Sequence, residues 1–100
     1  MYFRWSDAVK STYKTRIQTA QYAVDAALST QDSSTLHTLQ KETQKLAGTA
    51  SLFGDVGVDS ASYDINQYFK HHPDSGFSEQ LTSFTEKLRD ALNQSQYRQE

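Results

Sequence analysis

Apolar residues in this chain return every three or four positions, and no stretch keeps a sustained period of two. That rhythm predicts amphipathic helices and argues against a sheet. Val9, Tyr13, Ile17, Ala20, Val24 and Ala27/Leu28 fall on one side of a helical pattern over 7–30, with Ser6 placed to cap the start. The pattern fits either one long helix or a short helix followed by a longer one. Lys10, Lys14, Arg16, Gln18, Gln21 and Asp25 decorate its other faces. The segment from Ser29 to Ser34 has no apolar residue and reads as a short connection, with Asp32 or Ser34 capping the next helix. Leu36, Leu39, Thr43, Leu46, Ala50 and Phe53 then make one stripe, which predicts a second long helix over 33–52. Gly54 stands where a left-handed closing residue is wanted, and Asp55-Val56-Gly57 reads as a tight turn with Gly57 free to take positive φ. Val58, Ala61, Ile65, Tyr68 and Phe69 mark a third helix over 58–71, which Pro73 stops. Phe77, Leu81, Phe84, Leu88 and Ala91/Leu92 mark a fourth over 78–93, capped by Ser78 or Ser75. The polar end, 94–100, is expected to fray or to run on as a linker in a longer chain.

Four such stripes with short connections are most simply buried in an all-α, up-down four-helix bundle, and one hundred residues make a single domain of it. Only 36% of residues are hydrophobic, so each helix must spend its apolar side on the common core.

The net charge of -2, with Lys and Arg spread along the chain, argues against a nucleic-acid partner. With no cysteine, disulfides and thiolate metal sites are excluded, and a reducing cytoplasm is compatible. No apolar run reaches the ~20 residues of a membrane span. The start, Met1-Tyr2-Phe3-Arg4-Trp5, lacks the apolar region of a signal peptide, and its aromatics are expected to dock on the domain.

Within the second stripe, Gln44-Lys45-Leu46-Ala47-Gly48-Thr49, running on to Leu52-Phe53-Gly54, resembles the signature of histidine-containing phosphotransfer (HPt) domains. That family writes it roughly His-x-Leu-Lys-Gly-Ser/Thr-Ala, with a further glycine closing the helix. The resemblance implies a helical bundle of the HPt type, with room for a short extra N-terminal helix and a break before Tyr13. It also implies a bacterial two-component setting in the cytoplasm and a response-regulator receiver domain as partner. Two positions depart from the pattern. Gln44 stands in place of the phosphorylated histidine, and Ala47 stands where a lysine is common.

The first departure decides the chemistry. A neutral imidazole offers a nitrogen lone pair that can attack phosphorus and hold it. The glutamine amide nitrogen has its lone pair delocalised into the carbonyl, so Gln44 only donates and accepts hydrogen bonds. On a helical wheel His37, Gln44 and Ser51 share a face, with Lys41, Lys45 and Gly48 beside them and none of these in the apolar stripe. These six residues form the candidate partner-binding surface, with Gln44 near the middle of a rigid helix. Gly48, costly by ~1 kcal/mol in a helix interior, reads either as clearance for a visiting surface or as room for a neighbouring helix. Lys41 and Lys45 read either as a rim that steers an acidic partner or as ordinary solvated residues.

No catalytic residue, cofactor or metal site is expected. His71 and His72 end the third predicted helix, where a cation suits the dipole, and Asp55, Asp59 and Asp64 lack the alternation of a calcium loop. The leading reading is a pseudo-HPt interaction module that docks a signalling partner without accepting phosphate. A second reading is an N-terminal regulatory or dimerising domain of a larger signalling protein, such as an enzyme of cyclic-dinucleotide metabolism, with a homodimer left open. A third is active phosphotransfer through His37, the nearest substitute nucleophile.

Overall fold

In a computed structural model of the chain, which describes residues 7–73 and 76–97, the first helix, α1 (Asp7–Thr30), is continuous. The break before Tyr13 implied by the resemblance is absent from it. A further N-terminal helix, the Ser6 cap and the aromatic start all lie outside the described residues. Gln31 closes α1 with φ +53°, its amide donating to the Ala27 carbonyl at 3.2 Å.

Asp32 then caps α2 (Ser33–Leu46) in a reciprocal box. The Thr35 amide donates to Asp32 Oδ1 at 2.8 Å, and the Asp32 amide donates to Thr35 Oγ1 at 3.1 Å. A single turn, α3 (Thr49–Leu52), precedes α4 (Val56–His71) and α5 (Glu79–Gln94). Ser78 caps α5 by accepting the Leu81 amide at 3.2 Å. The described residues hold no strand.

α1 packs on α2 and α5, and α4 packs on the same two helices, so the four long helices form a ring around one core. Ile17, Val24, Leu39, Leu46, Ile65, Leu81, Leu88 and Leu92 fill it, all essentially inaccessible. Each such side chain contributes about 1.5–3 kcal/mol relative to an exposed position. The four stripes read from the sequence face inward, with Val9 at 38% exposure the outlier at the start of α1. No helix among the described residues is long and apolar enough to cross a membrane.

Three local expectations are corrected. The second long helix is not continuous over 33–52: it stops at Leu46, and Ala47 (ψ 125°) and Gly48 (φ +86°) separate α2 from α3. Gly57 lies inside α4 and does not take positive φ; Gly54, at φ +71°, makes the turn instead. Past α5 the chain does not fray at once. Ser95 is 3% exposed and Tyr97 packs against the core, because both find partners there.

Candidate functional site

The six residues expected to meet a partner, His37, Lys41, Gln44, Lys45, Gly48 and Ser51, are all exposed on the surface of the bundle. Behind them Leu39, Thr43 and Leu46 are buried, which turns the opposite side of α2 outward. The α2 backbone beside Gln44 is held from α4. The Thr43 carbonyl accepts from the Ala47 amide at 3.0 Å and from Asn66 Nδ2 at 3.1 Å. The Thr43 hydroxyl lies 3.0 Å from both Asn66 Oδ1 and the Gln40 carbonyl.

The six do not share one continuous helix. Gln44 stands in the last turn of α2 rather than mid-helix, Gly48 lies in the break, and Ser51 belongs to α3. The wheel that put Ser51 in line with Gln44 therefore fails at Ala47. The reason for Gly48 also changes. A Cβ built there would meet nothing within 4 Å, so no neighbouring helix requires the space. What requires glycine is φ +86°, a conformation that side chains with a Cβ rarely adopt. The break is stitched by side chains from two other helices. The Gly48 amide donates to Asp59 Oδ1 of α4 at 3.1 Å. Arg16 of α1 reaches the Lys45 carbonyl, one of the end groups α2 leaves over, at 3.5 Å.

Arg16 and Glu42 carry charge at this site, and the apolar periodicity passes over both. Arg16 sits at the edge of the α1 stripe, one turn after Tyr13. Glu42, 6% exposed, borders the α2 stripe next to Thr43, and Lys45 Nζ pairs with its Oε2 at 3.4 Å. Both residues line a groove of about 300 Å³ between α1 and α2, together with Thr12, Thr15, Thr19 and Lys45. Lys45 therefore belongs to the groove and to the exposed face at once.

A second polar cluster gathers at the α3–α4 junction. Asp55 is the N-cap of α4, yet its side chain makes no capping bond. Its Oδ2 instead accepts from the Tyr13 hydroxyl at 2.9 Å and the Ser95 hydroxyl at 2.7 Å. Tyr13 stacks on Phe53 at 4.3 Å between centroids, Tyr97 sits edge-on to both, and the Tyr97 hydroxyl donates to the Phe53 carbonyl at 3.0 Å. Burial, reinforced by the Asp55 carboxylate, pushes the Tyr13 phenol far above its ordinary value. That phenol is a fixed donor and is unsuited to acid–base work near neutral pH.

His37 stands near the start of α2, two turns before Gln44. His72 follows α4, its ring against Tyr68 at 4.6 Å. Among the described residues no three His, Asp or Glu side chains are grouped to hold a metal ion. Neither family models, nor curated proteins, nor solved structures yield a match to this chain.

Proposed function

We propose that this chain is a pseudo-HPt docking module. It receives a response-regulator receiver domain, or a related signalling protein of a bacterial cytoplasm, on the face around Gln44 and accepts no phosphate. One observation carries the reading: Gln44, the residue in the place of the phosphorylated histidine, faces outward from a helix whose other side is fully buried. An amide there can hydrogen-bond a visiting surface but has no nucleophilic nitrogen. The exposed lysines Lys41 and Lys45 flank it and suit the acidic pocket of a receiver. The HPt type of the bundle belongs to this proposal and rests on the motif together with the four packed helices.

The test is binding to a panel of isolated receiver domains by calorimetry, with Gln44→Glu, Lys41→Glu and Lys45→Glu as probes. Each should weaken a receiver that binds the unaltered chain. Binding that ignores all three would discard the reading, as would transfer of phosphoryl label from a phosphorylated receiver to the unaltered protein.

The alternative of a regulatory or dimerising domain draws on a different surface. Val56 and Tyr63, one heptad apart on α4, are 74% and 57% exposed. Light scattering across a concentration series tests it, with Val56→Glu expected to dissolve any dimer.

A further inference from the structure

We propose that the groove between α1 and α2 takes an acidic side chain of the docked protein, gripped by the Arg16 guanidinium with the Lys45 ammonium beside it. The inference rests on the docking reading above.

The groove is built to take one negative charge. Of the six side chains lining it, Arg16 and Lys45 are cationic, Glu42 is anionic and three are threonines, which leaves a single positive charge. Lys45 is paired with Glu42 at 3.4 Å. Arg16 has no such neighbour: among the described residues no carboxylate comes within ion-pair distance, and its hydrogen bond to the Lys45 carbonyl is 3.5 Å long. A guanidinium has five N–H donors in a planar fork that matches a carboxylate bidentately. Most of those donors are unspent on the protein.

The threonines narrow the choice further. Thr12, Thr15 and Thr19 point their hydroxyl protons at carbonyls of their own helix, at 3.0, 3.1 and 3.0 Å. They offer the groove acceptors and methyl groups but no donors, so an anion must be held by Arg16 and Lys45. Glu42 in the wall disfavours a doubly charged group, and a singly charged carboxylate fits the balance better than a phosphate. Lys45 also lies on the exposed face beside Gln44, so a protein seated there brings its own side chains to the mouth of the groove. Arg16 would then fix register on the side of α1 as the lysines steer approach.

The experiment takes a receiver that binds the unaltered chain and measures its affinity for Arg16→Glu, Arg16→Lys and Lys87→Glu, with thermal melting to check each fold. Arg16→Glu should lose on the order of tenfold or more in affinity. Arg16→Lys keeps the charge but not the fork, and should recover only part of that loss. Lys87→Glu makes the same charge change on α5, a helix that does not pack on α2, and should bind like the unaltered chain. Affinity unchanged in Arg16→Glu, full recovery in Arg16→Lys, or an equal loss in Lys87→Glu overturns the assignment while leaving the docking reading in place. If no receiver in the panel binds the unaltered chain, both are overturned together.

Discussion

The polar cluster at Asp55 and the polar face at Gln44 use similar residue types to opposite ends. At Asp55 a carboxylate oxygen, two hydroxyls and three aromatic rings from α1, the α3–α4 junction and the segment after α5 close on one another. At Gln44 an amide, two lysines and an arginine on α1 and α2 leave donors facing solvent. A polar group satisfied inside the protein supports the fold, and its loss is felt as stability. A polar group left open costs the fold little, and its loss is felt only by a partner.

The largest effect that would break this contrast is at Asp55. Asp55→Ala removes the acceptor of two hydroxyls, one of them on a tyrosine that is 1% exposed. Hydrogen bonds to a charged group contribute about 1.5–3 kcal/mol each, and an orphaned buried donor adds its desolvation cost, so we expect a loss of about 3 kcal/mol in urea unfolding. Gln44→Ala should stay within about 0.5 kcal/mol of the unaltered chain. Equal losses at the two sites would erase the distinction.

Gly48→Ala gives the next largest effect, and its sign is the informative part. In a continuous helix alanine would gain ~1 kcal/mol over glycine. At φ +86° it should instead cost about 1–2 kcal/mol, because the Cβ then crowds its own backbone. A stabilised Gly48→Ala would mean that α2 runs through to α3 and that the glycine serves clearance after all.

Alkaline unfolding sharpens the Asp55 side. Below pH about 10 the Tyr13 phenol is protonated in both states and contributes no slope. Above that, the unfolded phenol ionises while the folded one, its pKa raised, stays protonated. The unfolded state then binds fewer protons, so stability should fall by up to about 1.4 kcal/mol per pH unit on account of this residue. Tyr13→Phe should start less stable, having lost its bond to Asp55, but should show a flatter fall above pH about 10. Parallel alkaline slopes in the two proteins would place the titration elsewhere.

The four stripes are legible because burial on a helix imposes a rhythm that the residues carry locally. Leu39, Leu46, Ala50 and Phe53 all face inward, as their spacing predicts. The same spacing hides the break at Ala47–Gly48, because α3 resumes with Ala50 and Phe53 still turned to the core. A stripe reports which side is buried, not whether the backbone between its members is continuous. By periodicity Arg16 is decoration on an outer face, since its partner is a carbonyl exposed only by that break. Asp55 reads as a turn residue because an aspartate after glycine fits a helix start. Its true partners, Tyr13 and Ser95, lie about forty residues away on either side, and no local pattern announces them. Gln44, Lys41 and Lys45 are legible as exposed, for exposure on α2 follows from the stripe alone.

Ser62 offers the smallest effect and the opposite sign. It lies within α4, is fully buried, and its hydroxyl is the one buried side-chain polar atom without a hydrogen-bond partner among the described residues. Such a group contributes desolvation cost and no bond in return. Ser62→Ala removes the hydroxyl at almost constant shape and adds helix propensity, so the protein should gain about 0.5–1 kcal/mol. If Asp55 is retained for its bonds, a hydroxyl lacking them should be dispensable in this way. A measured loss instead of a gain would mean that the Ser62 hydroxyl holds a buried water, and that the interior between α4 and its neighbours is closed by solvent as well as by side chains.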